Sequence, residues 1–304
     1  AEAVFPDPSW AYWRGAVLFH TRGADAARAE FRKLFLLEDA PYRLNAYDRL
    51  GNVALAGGRF VEAAEAFRGG AELAETNGQL EWAAYMRRLR GQVLFDSGDV
   101  GGALVEARKA VEAIRKTGGA YRLATALLFE AQVHLARGDA AAVEELAGQS
   151  RSLAGPGAPR KLVREKDFFE GVVALEAGRA SEAGGLIEKV VSQVVRKDGQ
   201  DSRVILYHLM LAAAREKAGD LAGAAEALKR IVESPGDTLY FEGMLAKAVL
   251  GLARLEDKLG RAERAREGYR AFLELWKEAD PGRPEVEEAR ARLAALSGPS
   301  RAGR

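Results

Sequence analysis

The 304-residue sequence predicts an all-α tandem-repeat solenoid, on three observations. The first is composition. Ala, Leu, Glu, Arg and Gly dominate, aromatic residues make up 8%, prolines number 9, and runs rich in Val, Ile and Thr are nearly absent. Such usage suits many helices joined by short glycine turns better than it suits a sheet. The second is a period: glycine recurs between amphipathic segments at Gly58, Gly98, Gly138, Gly178, Gly219 and Gly260, with spacings of 40, 40, 40, 41 and 41. Self-similarity of this length is the signature of stacked repeats. The third is what accompanies each glycine. Seven residues before it stands Gly51, Gly91, Ala131, Gly171, Ala212 or Ala253. Five after it stands Ala63, Ala103, Val143, Ala183, Ala224 or Ala265, and nine after it Phe67, Ala107, Ala147, Ile187, Leu228 or Tyr269.

A small residue lets two helix backbones approach, and a larger one four positions further on fills the groove beside the contact. Each unit is therefore predicted to be a helical hairpin. Its glycine takes the left-handed conformation that ends the first helix, and Asp99, Asp139 or Asp220 directly afterwards caps the second. Neither helix buries its apolar stripe alone, so neighbouring units must supply the core. A degenerate first unit has Gly15, Ala27 and Phe31 in the equivalent places if its turn lies at Arg22 and Gly23. Asp7 and Pro8 mark a helix start before Trp10, since proline suits the first helical turn. At the other end Pro284 opens a last helix with Glu285, Glu287 and Glu288 early and Arg290 and Arg292 late. That order complements the helix dipole, and a polar last helix covers a solenoid's terminal core. Residues 1–296 are thus expected to form one solenoid and 297–304 a flexible tail.

Basic and acidic side chains number 45 and 44, a net charge of +1. No long-range field draws the chain to nucleic acid or an anionic surface, and neither is expected as a partner. No stretch approaches the roughly 20 apolar residues that span a bilayer, and Ala1 to Pro8 lack a secretion-signal pattern, so no direct membrane insertion is expected. The cytoplasm is the favoured compartment. Because the chain opens at Ala1 without methionine, a processed or excised piece is expected, and a periplasmic or extracellular site stays open. Without cysteine there are no disulfides, thiolate metal sites or cysteine nucleophiles.

His20, His134 and His208 fall in different units, and no His-Glu-x-x-His or Gly-x-Ser-x-Gly occurs. The double glycines at Gly57, Gly101, Gly118 and Gly184 are not followed by the Gly-Lys-Ser/Thr of a phosphate loop and read as turns and close contacts. No enzyme activity, cofactor or metal is expected. Two basic clusters, Arg87, Arg88 and Arg90, then Arg160, Lys161, Arg164 and Lys166, read as solvated faces with acidic neighbours. Nucleic-acid binding wants such charge along one face with stacking aromatics.

The succession of small residue, turn, alanine and aromatic resembles the tetratricopeptide repeat over nearly the whole chain. The period of about 40 exceeds the standard repeat of about 34, which implies helices longer by a turn or more, as in longer-period relatives found in bacterial signalling regulators. HEAT and armadillo repeats share the longer period and rank second, because the small-residue and aromatic offsets fit them less well. The stretch from Gly268 to Pro281, followed by Pro284 and its helix, resembles the end of tetratricopeptide regions attached to bacterial eukaryotic-like serine/threonine kinases. The kinase motifs themselves are absent. This resemblance implies a non-catalytic sensor or docking region.

It further implies a right-handed superhelix of about seven repeats with a C-terminal capping helix, whose concave surface is lined by the first helix of each unit. The family's inward positions carried onto this sequence are Asn45, Asp48 and Asn52, then Tyr85, Arg88, Gln92 and Phe95, then Thr125 and Gln132. Units five and six give Phe168, Val172, Leu206, Leu209 and Ala213, so the face is expected to be polar in its first half and apolar in its second. Amides there hydrogen-bond the backbone of an extended peptide, Tyr85 and Phe95 supply packing area, and Arg88 meets a carboxylate. The clamp that holds acidic chaperone tails needs several basic residues at these places; Arg88 and the acidic Asp48 do not make one. Separately, Phe5, Trp10, Tyr12, Trp13 and Phe19 crowd the first helix, and those left exposed mark a docking face for another domain or a second copy. The function implied is a scaffold or sensor that binds a protein or peptide. Two other readings stay open: an assembly protein that self-associates through its repeat ends, starting from Trp10, and a small-molecule sensor with a pocket near Phe168 and Leu209.

Overall fold

The computed structural model describes residues 10–194, 203–233 and 242–297; the regular elements among them are helices, and no strand occurs among the described residues. Seven helix pairs follow one another: α1 (Ala11–Arg22) and α2 (Ala24–Arg32), α3 (Ala40–Ala56) and α4 (Phe60–Thr76), α5 (Leu80–Asp96) and α6 (Val100–Arg115), α7 (Ala120–Ala136) and α8 (Ala140–Leu153), α9 (Arg160–Glu176) and α10 (Ala180–Ser192), α11 (Val204–Lys217) and α12 (Leu221–Val232), α13 (Glu242–Lys258) and α14 (Ala262–Leu275). A last helix, α15 (Pro284–Ser297), stands alone. The chain divides into two compact units, Ala1–Leu55 with Phe60–Arg179, and Ala56–Arg59 with Ala180–Arg304. The helix start read at Asp7 and Pro8, Phe5, and the tail beyond Ser297 lie outside the described residues.

All six repeat glycines have φ between 72° and 87°, and Gly23 turns the first pair with φ 88°. Gly98 shows how the turn works. The Gly98 N–H donates to Phe95 O at 3.0 Å and the Asp99 N–H to Leu94 O at 2.9 Å, which satisfies the last carbonyls of α5. Asp99 then accepts the Gly102 N–H at 2.8 Å through its carboxylate, capping α6. Asp139 and Asp220 repeat the arrangement with Ala142 and Gly223. One residue thus ends a helix with its backbone and starts the next with its side chain. A second set of left-handed glycines, Gly78, Gly118 and Gly157, turns the chain between successive pairs.

The small–large pairing has a steric basis. A Cβ added at Gly51 would lie 2.5 Å from Phe67 Cε1, and one at Gly15 would also strike Phe31, so each ring occupies the volume the glycine leaves. In the third unit Ala107 is too short to do this. There the Phe129 ring of α7 reaches back over Gly91, where an added Cβ would sit 2.7 Å away, and packs with Ala103, Leu104 and Ala107. Neighbours complete one another's cores throughout the first unit. Ala46 and Val53 of α3 pack with Ala11, Ala27, Phe31 and Leu34 of the preceding pair, and Ala83 of α5 with Leu44 and Ala74.

In the second unit, α15 buries Val286 and Ala289. The charges read as dipole partners also reach across to α13. Arg254 engages both oxygens of Glu288, with Nε donating to Oε1 at 2.8 Å, and Arg292 approaches Asp257 at 2.6 Å. The Arg254 guanidinium holds the Glu288 carboxyl below its ordinary value of 4.5. A depressed folded-state value stabilises the fold above the unfolded value, and that gain disappears as pH falls through the folded one. Arg254→Gln is therefore expected to lower stability by about 0.5–1 kcal/mol at pH 7, a magnitude reduced by the pair's partial exposure. In urea titrations the gap between wild type and variant should hold above the ordinary carboxylate value and shrink as pH falls below it; a gap that does not change with pH would mean the pair is not its source.

Candidate functional site

From α5 to α9 the first helices lie closer to one another than the second helices do. Helix α5 touches α7 and α7 touches α9 directly, whereas neither α4 with α6 nor α6 with α8 comes together to that extent. Rods that converge on one side make that side concave, so α5, α7 and α9 line the inner face of this unit, and the Tyr85–Asp48 hydrogen bond ties α3 to α5.

On α3, beside α5, is Asp48, which the structure buries together with Asn52. Asp48 Oδ1 accepts the Tyr85 hydroxyl at 3.0 Å and Asn52 Nδ2 at 2.9 Å, and Oδ2 accepts Arg49 Nη2 at 2.6 Å and Nε at 3.1 Å. Arg49 in turn lies over the Tyr12 ring, 5.1 Å from its centroid, and Arg88 over the Tyr85 ring at 5.6 Å. Burial, and next the Asp48 charge, push the Tyr85 phenol far above its ordinary value, so it remains a hydrogen-bond donor.

The sequence reading set Asp48, Asn52 and Tyr85 out for a ligand's use, and the structure gives them partners within the chain. Asp48 and Asn52 stand one turn apart on a helix flanked by two others, where an unpaired polar group would be costly. Asn45, Arg88, Gln92 and Gln132 are half-buried. Gln92 Nε2 donates to Asp96 at 3.1 Å, and the Thr125 hydroxyl donates to the Arg122 carbonyl of its own helix at 2.8 Å. Phe95 is half-buried against the α6–α7 core. Phe168 and Val172 are fully buried in the first unit and do not line a surface. Arg49 was missed. Its signal was available: it stands nine residues before its turn glycine, as does Arg14, and both form buried ion pairs, Arg14 with Glu30 and Arg49 with Asp48.

Several members of the basic clusters have partners within the chain. Arg87 bonds Glu75 and Glu106, Arg90 bonds Glu106, Lys166 bonds Asp167, and Lys161 sits over the Tyr121 ring. On the second-helix side, a polar cavity of about 320 Å³ lies over α7, with Arg108, Glu130, His134, Asp139, Glu145 and Gln149 in its wall. Buried His134 holds Asp139 at 3.0 Å through Nδ1 while Asp139 caps α8, so this histidine braces a helix start. Among the described residues no group of three or more His, Cys, Asp or Glu is placed to hold a metal, and no helix is long and apolar enough to cross a membrane.

No protein-family model matches the chain, and no curated protein matches it. Solved structures do. The Rap protein complexed with Competence and Sporulation Factor is similar over 93% of this chain and 76% of its own, at 14% identity and a TM-score of 0.56. The fold is a tetratricopeptide-type α-solenoid. Also similar are a tetratricopeptide repeat protein from Parabacteroides merdae (11% identity, 95% of this chain and 98% of that one, TM-score 0.47) and the apo quorum sensor NprR from B. thuringiensis (14%, 88% and 86%, 0.43). At these identities the likeness is one of fold.

Proposed function

We propose that this solenoid is a non-catalytic interaction module that holds an extended peptide segment of a partner protein along the face of α3, α5 and α7. The observation that carries this reading is a row of half-buried amide and guanidinium groups, Asn45, Arg88, Gln92 and Gln132, above a floor locked by Asp48, Arg49 and Tyr85. Amides serve a peptide's backbone N–H and C=O groups, Arg88 takes a carboxylate, and a fixed floor spares the ordering cost of binding. The similar Rap solenoid, solved with Competence and Sporulation Factor, supports the reading. Membership in a larger bacterial signalling protein is part of the proposal, on the resemblance of the stretch from Gly268 to Pro281.

Selection of a phage-displayed random dodecapeptide library on the immobilised chain tests this. Enriched peptides are expected to bind an Asn45→Ala, Arg88→Glu, Gln132→Ala variant about tenfold or more weakly, by fluorescence polarisation. An empty selection, or equal binding to both proteins, would refute the reading.

A further inference from the structure

The inner-face positions stand thirteen, ten and six residues before each turn glycine: Asn45, Asp48 and Asn52 before Gly58, and Tyr85, Arg88 and Gln92 before Gly98. Counted back from Gly23, the same positions are Trp10, Trp13 and Val17. Spacing of three and then four residues keeps all three on one stripe of α1. The buried arginines confirm the alignment, since Arg14 and Arg49 share the place nine residues before the turn. Tyr12 belongs to another side of the helix, packed on the core beneath Arg49.

At this register Asp48 and Asn52 are buried in α3, Leu128 in α7, and Phe168 and Val172 in α9. In α1 the corresponding side chains are open: Trp10 is 43% exposed, Trp13 53% and Val17 59%. The exposed aromatics therefore stand at the register of the inner-face positions, in a helix where that register is exposed. Together they offer on the order of 300 Å² of apolar surface. That is far short of the about 800 Å² per partner that a stable protein–protein interface buries, and ample for one bulky side chain.

We propose that Trp10, Trp13 and Val17 form an apolar anchor subsite at the α1 end of the peptide face. This rests on the peptide-binding reading above. The subsite takes one aromatic or leucine-like side chain of the same extended segment whose backbone lies on Asn45 and Gln92 and whose acidic group meets Arg88. Packed helices lie roughly 10 Å apart and an extended chain advances about 3.3 Å per residue, so anchor and acid should stand about six residues apart in the peptide.

The dodecapeptide selection, repeated with a Trp10→Ala, Trp13→Ala variant of unchanged helicity, tests this. The wild-type pool is expected to share an apolar position about six residues from an acidic one, the variant's pool to lack it, and wild-type peptides to bind the variant about tenfold or more weakly. Equal binding of those peptides to both proteins overturns the anchor and leaves the polar face standing. An empty wild-type selection overturns the peptide reading and the anchor with it. Sedimentation equilibrium adds a third outcome: a wild-type dimer that the double variant abolishes would assign the stripe to a second copy and overturn the proposal.

Discussion

Asp48→Ala is expected to destabilise the first unit by about 3–5 kcal/mol, the range for removing one partner of a buried ion pair. Asp48 receives donors from three side chains on two helices, Arg49 and Asn52 on its own and Tyr85 on α5. Alanine withdraws the carboxylate that two Arg49 nitrogens reach and leaves the Tyr85 hydroxyl without this acceptor, while the Tyr12 ring compensates only part of the guanidinium's charge. Asp48→Asn keeps the shape and some hydrogen bonding and should lose less. Asp48→Ala combined with Arg49→Met should recover much of the loss, because an apolar replacement of the whole pair removes the stranded charge. Urea denaturation followed by circular dichroism measures all three. A single-variant loss below about 1 kcal/mol, the scale of an ordinary surface pair, would mean that the network is not what holds α3 to α5.

Gly51→Ala should destabilise by about 1–3 kcal/mol, although alanine is the better helix former. The added methyl would lie 2.5 Å from Phe67 Cε1 and 2.6 Å from Cζ, in a ring that is itself fully buried. Gly184 provides the control. It too lies inside a helix, but a Cβ there meets nothing within 4 Å, so Gly184→Ala should be neutral or stabilising. Phe67→Leu in the Gly51→Ala background should restore part of the stability, whereas the same change in wild type should cost some, and thermal melts of the four proteins read that coupling. Additive losses would show that the glycine is needed for a reason other than the ring.

What the sequence showed was local. A left-handed residue after a helix almost demands glycine, so Gly58 through Gly260 announced their turns, and the aspartates after Gly98, Gly138 and Gly219 announced their caps. The Gly51–Phe67 pair was readable because both members belong to one hairpin. Phe129 over Gly91 was not, because the ring comes from the next unit and no fixed offset within one hairpin points to it. The candidate site divides in the same way. The repeat resemblance implied inward positions at Asn45, Arg88, Gln92 and Gln132, yet nothing adjacent in sequence showed that Tyr85, 37 residues on, would turn its hydroxyl onto Asp48 and help remove it from a ligand's reach.

The most direct test of the interaction face is hydrogen–deuterium exchange on the full chain, with and without a library-selected peptide. The expected result is slower exchange in α1, α3, α5 and α7 with α4, α6 and α8 unchanged. Protection confined to α6 and α8, around the cavity over His134, would place the ligand on the opposite side of the solenoid and contradict the account.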